Sequence, residues 1–279
     1  MRTLVLFFVT AVAVHAQSAW PTPEWRVACL PALEAEYLAG GETQACDLQI
    51  PDLYRGQLEQ TVREIAGRLA AVGYRSPALR QADGRYLAVF TADHASYICQ
   101  GRQGCYILAD GGGVATDPRT GEEIEVLDRL LYLPYLSNQR LSVAHELFHA
   151  VQAAYLPPSV FDGSGQGTNG MGWITEGTAE AIGILLSSEQ PVARSYSQPL
   201  HRPGSVLGEY RTAEFWLFVA RRMRGLGALS AFEPLLARLE GGADGLDEVD
   251  AVLRDTEPGG LPGTFRAFIA QEADTPAFF

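Results

Sequence analysis

The order of apolar and polar positions divides the chain after residue 50 into a first part with strand-like patterns and a second part with helical ones. In the first part, apolar residues recur at three- and four-residue steps over 52–72, which predicts a helix that Gly73 ends. Short apolar runs follow between glycine-rich turns. We expect strands over 86–91 and 130–133, a hairpin over 97–108, turns over 111–113 and 117–122, and strand propensity throughout 124–135.

Helical spacing dominates from residue 137 onwards. The stretch over 137–155 is apolar almost all round, which is typical of a helix at the centre of a domain. A long loop rich in glycine, serine and asparagine covers 159–172 and separates this helix from the next one. Further helices are expected over 173–188, 212–223, 229–239, 246–253 and 264–271.

Strands in the first part of the chain and helices in the second part predict an α+β fold. One domain is expected over 51–279. Its small mixed β-sheet lobe, with one helix, would occupy 51–136, and its mainly helical lobe would occupy 137–279. The helices expected over 137–155 and 173–188 would be the two central helices of this fold.

The first sixteen residues differ from the rest of the chain. Arg2 precedes an apolar run of 11 residues, Leu4–Val14, and small residues around Ala16 fit a cleavage site. The run is too short to span a membrane, which needs about 20 residues. We therefore expect a signal peptide over 1–16 and a mature protein that is secreted or periplasmic, with no integral membrane segment. The proline- and glycine-rich stretch over 17–50 is expected to be irregular.

Composition restricts the class of protein and its partners. The chain of 279 residues has 33 acidic and 21 basic residues, a net charge of −12, and every basic residue is arginine. Such an acidic chain is a poor partner for nucleic acid and for anionic membrane surfaces. A hydrophobic fraction of 47% supports a folded core and excludes a disordered chain. Nothing in the composition decides the oligomeric state.

The cysteine count is even, with residues at 29, 46, 99 and 105. In an exported chain this suggests two disulfides, and buried free thiols are the alternative. Three pairings are possible. Pairing Cys29 with Cys46 and Cys99 with Cys105 closes the shortest loops and is the one we expect, so that 17–50 forms a disulfide-stapled N-terminal segment.

Residues 145–149 read HELFH. On a helix, residues four apart lie on one face, so His145 and His149 can present two imidazoles to one metal ion. Glu146 lies about 100° away from His145 around the helix, too far to be an equivalent ligand but well placed to touch a water on the metal. Two imidazoles and a carboxylate buried in an apolar helix would be costly without a partner, and a metal supplies one.

A catalytic zinc ion needs three protein ligands and one open position. The best third ligand is Glu176, which follows His149 by 27 residues and lies on the next predicted helix, in the segment WITEGTAEA. Glu180 lies one turn later on the same face and can hold the ring N–H of a zinc histidine. We expect one zinc ion per chain, bound by His145, His149 and Glu176.

HELFH followed by WITEGTAEA resembles the gluzincin zinc metallopeptidases, over about 40 residues between 141 and 182. The resemblance is to thermolysin-like and aminopeptidase-N-like members in general and identifies no single family. It implies that His145, His149 and Glu176 bind zinc, that Glu146 is the general base and that Glu180 orients His145. The motif GxMEN, with which aminopeptidases bind an amino terminus, does not occur. This favours an endopeptidase.

Gluzincins also supply a Tyr or His from a later helix to stabilise the oxyanion. The candidates are Tyr210 and His201. Tyr210 is the better candidate, although it could equally be a tyrosine of the core. Arg211 could bind a substrate carboxylate, but a salt bridge to Glu214 is the simpler expectation. His94 is expected in a loop.

These residues predict an exported zinc metallopeptidase that acts on a peptide or protein substrate. Zinc would activate a water molecule, and Glu146 would take its proton and pass it to the leaving amine. The substrate would lie extended along an edge strand, for which we expect 130–133, and the loop over 159–172 could shape the cleft. The alternatives are a non-catalytic gluzincin-like binding domain and a zinc hydrolase of a non-peptide substrate. Peptide specificity and removal of a pro-segment are not predicted.

Overall fold

In the computed structural model of the chain, short strands precede a series of helices, and the described part is mainly helical. Between the strands and the later helices lies the helix Arg140–Gln152, α2, which carries HELFH. The structure describes residues 20, 25–28, 52–78, 86–90, 99, 104–107, 113–116, 120–121, 123–126, 130–133, 140–157, 160, 171–187, 212–223, 228–240 and 245–274.

Four short strands form one mixed sheet. They are β1 (Trp25–Ala28), β2 (Tyr86–Phe90), β3 (Cys105–Ile107) and β6 (Leu130–Leu133), in the order β1-β2-β6-β3. The first three in this order are parallel, with Val27 opposite Ala88 and Val89 opposite Tyr132, whereas β3 runs antiparallel to β6. Parallel neighbours need a crossover, and α1 (Asp52–Ala71) lies in the connection from β1 to β2 and packs against β1.

A separate two-stranded ladder joins β4 (Gly113–Thr116) to β5 (Glu123–Val126). The prediction of turns at 111–113 is therefore wrong at its last residue, where β4 begins, and the strand over 114–116 was not predicted. The reason is that the four residues Gly113–Thr116, GVAT, carry only a weak strand pattern. The strand propensity predicted over 124–135 is confirmed in two pieces, β5 and β6.

Two other expectations about the strands are wrong. The stretch over 17–50 contains β1, although four residues of the pattern WRVA are too few to be recognised as a strand. Leu130–Leu133 is not an edge strand, because β6 pairs with β2 on one side and with β3 on the other. Its continuous apolar run, LLYL, is typical of a strand inside a sheet and covered on both faces.

The predicted helices are confirmed to within a few residues at each end. Their observed bounds are α1 at Asp52–Ala71, α2 at Arg140–Gln152, α3 at Gly172–Leu186, α4 at Ala213–Arg222, α5 at Glu233–Leu239, α6 at Gly245–Arg254 and α7 at Gly260–Asp274. The helix predicted over 229–239 is divided into a 3-10 turn, Ala228–Ser230, and α5. The last helix begins four residues earlier than predicted, because a proline such as Pro262 is compatible with the first turn of a helix.

The packed pair of α2 and α3 forms the centre of the core. Every residue of α2 from Ser142 to Gln152 is buried, and so is most of α3. The two helices cross closely at Gly183, where an added Cβ would lie 3.0 Å from the carbonyl oxygen of Leu141. Helix α2 also packs against α1, β3 and β6. The helix that carries the histidines is therefore surrounded by other elements.

Helix α4 fastens the start of α3. The side chains of Thr212 and Trp216 both donate hydrogen bonds to the carbonyl oxygen of Trp173, each at 2.8 Å. The rings of Trp173 and Trp216 stack with their centroids 5.1 Å apart. This contact holds the turn of α3 that immediately precedes Glu176.

The predicted disulfide between Cys99 and Cys105 is present, with 5.4 Å between the two Cα atoms. Of the predicted hairpin over 97–108, the strand β3 is confirmed, and it pairs with β6. Cys29 and Cys46 lie outside the described residues, as do the segment over 1–16 that is predicted to be a signal peptide and most of the loop predicted over 159–172.

In the described part of the chain, none of the helices is both long enough and apolar enough to cross a membrane. The division into two lobes at residue 136 stays a prediction.

We expect Gly177→Ala to destabilise the protein, because a Cβ on Gly177 would collide with Thr212 Oγ1 and lie 2.6 Å from Trp216 Cδ1. Overpacking of this kind costs about 1–3 kcal/mol. The matched control is Gly67→Ala in α1, an exposed position with nothing within 4 Å of an added Cβ. That change should stabilise the protein by about 0.5–1 kcal/mol, since glycine disfavours a helix. Urea unfolding at fixed metal concentration measures both. If both variants changed the free energy of unfolding equally, the tight contact at Gly177 would be contradicted.

Candidate metal centre

The imidazoles of His145 and His149 lie side by side on α2, as their spacing predicts. Both side chains are buried, and their Nε2 atoms are 3.0 Å apart. The rings are nearly perpendicular, with centroids 4.7 Å apart. The Nε2 atoms of the two rings therefore lie together on one side of α2.

Glu176 reaches this point from α3. Its Oε2 atom lies 3.3 Å from His145 Nε2 and 3.5 Å from His149 Nε2. The same oxygen is buried, and no hydrogen-bond partner for it is found among the residues that the structure describes. The three side chains form the one group of possible metal ligands found in the described residues, with all ligand atoms within 4.8 Å of one another.

Glu180 contacts the other side of His145, one helical turn beyond Glu176. Its Oε2 atom lies 3.1 Å from His145 Nδ1, and its side chain is buried. A carboxylate accepts a hydrogen bond, so Nδ1 carries a proton, and in the neutral imidazole Nε2 then directs its lone pair towards Glu176 and His149. The expectation that Glu180 holds the ring N–H of a histidine therefore has the geometry that it requires.

Gln152 contacts Nδ1 of His149, as Glu180 contacts Nδ1 of His145. The sequence pattern did not predict this contact. Its Oε1 atom lies 2.8 Å from His149 Nδ1, and its side chain is fully buried. The signal in the sequence was the position of an amide side chain three residues after a histidine on an apolar helix, which places the two on one face. That spacing is common in helices, so only the structure identifies the contact.

These contacts allow a test of whether the site fits a metal ion. With both Nδ1 atoms protonated, the two Nε2 atoms and Glu176 Oε2 direct three lone pairs at one buried point. One proton can serve only one or two of these groups, and a buried acceptor without a partner is costly. A metal ion satisfies all three together. Two imidazoles and a carboxylate therefore fit a metal ion, and His145, His149 and Glu176 could hold it.

The electrostatics of the site favour a cation. Burial by itself lowers the pKa of His145, but the carboxylates of Glu176 and Glu180 beside its ring and the charge of Glu146 raise it to about 10. Burial by itself raises the pKa of Glu176, whereas the charge of His149 and the contacts with both imidazoles hold it well below its ordinary value. A metal ion at this point must therefore displace a proton from His145, which links metal binding to proton release.

Glu146 follows His145 directly and is also buried. Its charge raises the pKa of His145. The remaining candidate residues lie outside the described part of the chain, and their roles stay predictions: they are Tyr210, His201, Arg211 and His94. Glu214, the expected partner of Arg211, is exposed in the first turn of α4.

Comparison with known proteins gives no assignment. No model of a protein family, no curated protein and no solved structure matches the chain significantly.

We expect the folded protein to bind one divalent metal ion per chain through His145, His149 and Glu176. His149→Ala should abolish retention of the metal, and Glu176→Gln should weaken binding by more than the ~100-fold that loss of an outer partner can cost. Elemental analysis after dialysis and competition with a chelator measure the two effects. Glu240→Gln, an exposed position paired with Arg75, is the control and should bind as the wild type does. Retention of metal by His149→Ala would contradict the assignment.

Glu180→Ala should weaken metal binding without removing a ligand. The change leaves His145 Nδ1 without the carboxylate that orients it, and such losses cost about 10–100-fold in metal affinity. The same competition titration checks this, with Glu240→Ala as the control for removal of a carboxylate. An unchanged dissociation constant would show that the contact with His145 does not support the metal.

Proposed function

We propose that this protein is an exported zinc metallopeptidase. The observation that carries the proposal is the buried carboxylate of Glu146, which follows His145 in the chain and acts on its imidazole through its charge, in addition to the three side chains that together fit a metal ion. A metal that only stabilises a fold has no need of this additional carboxylate. A hydrolytic site does need one, because a base must accept the proton of the attacking water.

Zinc is the metal that we propose, on the basis of ligand type and spacing. Tetrahedral zinc with bonds of about 2.0–2.1 Å would separate its ligand atoms by about 3.3 Å. The three distances between the ligand atoms are 3.0, 3.3 and 3.5 Å. Three protein ligands would leave a fourth position for water or substrate, which is typical of catalytic zinc.

When bound, zinc would supply a Lewis acid that polarises a carbonyl group and makes water more acidic. The remaining chemistry belongs to side chains of this protein. His145 and His149 hold their lone pairs on one point because their Nδ1 atoms bond to Glu180 and Gln152. Glu146 accepts the proton of the attacking water and transfers it to the leaving amine. Tyr210 stays our proposed donor to the oxyanion.

The proposed substrate is an extended peptide within a protein chain. Helix α2 packs against β3 and β6, so the sheet lies next to the metal-binding helix. Since β3 comes last in the described sheet order, it replaces the strand at 130–133 as the edge on which a peptide could add by strand pairing. We accordingly propose that the peptide pairs with β3, next to the metal-binding helix.

Glu146→Gln should remove hydrolysis and keep the metal. The substitution preserves the size of the side chain and all three ligands but removes the proton acceptor. Activity on an unstructured protein such as casein should therefore fall by about 10²–10⁴-fold, the contribution of a general base. Metal content measured on the same preparation should stay at that of the wild type, and Glu240→Gln should keep full activity.

Unchanged hydrolysis in Glu146→Gln would exclude the mechanism proposed here. If the wild type holds zinc but cuts neither casein nor a peptide library, the peptidase proposal is wrong. The binding domain or the hydrolase of a non-peptide substrate would then take its place. Hydrolysis of simple ester substrates by the wild type, lost in Glu146→Gln, would distinguish the hydrolase from the binding domain.

A further inference from the structure

We infer that Gln152 is the positioning residue of this metal centre: it fixes the tautomer and orientation of His149 and ties that ligand to the helix that carries Glu176. The inference rests on the metal site of the proposed function and extends it to a residue outside the HELFH motif. Gln152 is fully buried between α2 and α3, and its amide bonds to residues of both helices.

The direction of each hydrogen bond around Gln152 is determined by its partners. The hydroxyl of Thr178 donates to the carbonyl oxygen of Ile174 at 2.6 Å, so its lone pairs remain to accept. Gln152 Nε2 donates to Thr178 Oγ1 at 2.9 Å and to the carbonyl oxygen of Thr175 at 2.8 Å. A reversed amide would place Oε1 against the Thr175 oxygen, where two acceptors would repel. The orientation of the amide is therefore fixed.

This orientation decides which nitrogen of His149 carries the proton. Gln152 Oε1 can only accept, so His149 Nδ1, at 2.8 Å, must donate. His149 Nε2 is then unprotonated and directs its lone pair at the point shared with His145 and Glu176. The other tautomer would turn a lone pair towards Oε1 and an N–H into the metal-binding point. The buried amide thus selects the form of His149 that binds a metal.

The same side chain also spans the gap between the helices. Thr175 and Thr178, its two acceptors on α3, lie on either side of Glu176 in the sequence. Gln152 therefore links the turn that carries the third ligand directly to the ring of the second ligand. The first ligand has a different partner, the carboxylate of Glu180, so the two histidines are oriented by groups of different charge.

Three variants measure this role through zinc affinity. Gln152→Leu removes both ends of the link, and its zinc dissociation constant should rise about 10–100-fold, as for other outer partners of metal ligands. Thr178→Val removes one acceptor but leaves the bond to the Thr175 carbonyl oxygen. Its zinc dissociation constant should therefore lie between those of the wild type and Gln152→Leu. Thr264→Val is the matched control, because Thr264 is also buried and donates to the carbonyl oxygen four residues earlier, in α7. It should bind zinc as the wild type does.

A second measurement reports the tautomer directly. In nitrogen-15 NMR of the zinc-loaded wild type, which does not depend on any variant folding, His149 should show a protonated Nδ1 and a metal-bound Nε2. In zinc-free Gln152→Leu, where the acceptor is gone, His149 should populate both tautomers. A merely structural role for Gln152 would lower the unfolding midpoint and leave zinc affinity and tautomer unchanged.

The inference is overturned if Gln152→Leu binds zinc within about twofold of the wild type, a change far below the 10–100-fold expected of such a partner. It is also overturned if Nδ1 of His149 is the metal-bound atom. Neither measurement uses peptide hydrolysis. A wild type that binds zinc through Nε2 but cuts no peptide would therefore refute the proposed function and leave the role of Gln152 intact.

Discussion

The convergence of three lone pairs on one buried point is the constraint on which the rest of this structure depends. His145 and His149 contribute two of them from α2, and Glu176 contributes the third from α3. Three acceptors packed together repel unless a cation lies between them. The two central helices of the core therefore meet around a group that needs positive charge, and a proton on His145 or a metal ion can provide it. A metal ion bound at this point would therefore contribute to the stability of the fold.

The contacts around these three side chains hold their lone pairs in the direction of that point. Glu180 and Gln152 fix the protonated nitrogen of each ring. Gly183 lets α3 approach α2, and the hydrogen bonds from Thr212 and Trp216 hold the turn before Glu176. Each of these contacts acts on the position of a ligand through packing or hydrogen bonding. The precision of the site thus comes from α3 and α4 as much as from the HELFH helix.

The sequence predicts well that His145, His149 and Glu176 lie together, because their spacing and their cost of burial point the same way. Two histidines four residues apart on an apolar helix are costly to bury unless they share a partner, and Glu176 and Glu180 lie one turn apart on the next helix. Gln152 and β1 were not predicted, since a single amide and a four-residue strand carry no distinctive pattern and gain their roles only from tertiary contacts. The central place of β6 was missed although its apolar run indicated it, because a substrate-binding edge was expected beside the motif.

The parallel sheet has a consequence for how the chain folds. Pairing of β1 with β2 joins Trp25 to Tyr86, and pairing of β2 with β6 joins Ala88 to Leu131. Contacts between residues so distant in sequence carry a loop-closure entropy, and parallel pairing of this kind forms slowly. The ribosome must therefore reach Leu133 before the sheet can close, and Glu176 before the ligand set is complete. Until then the nascent chain lacks both its complete sheet and its ligand-bearing core.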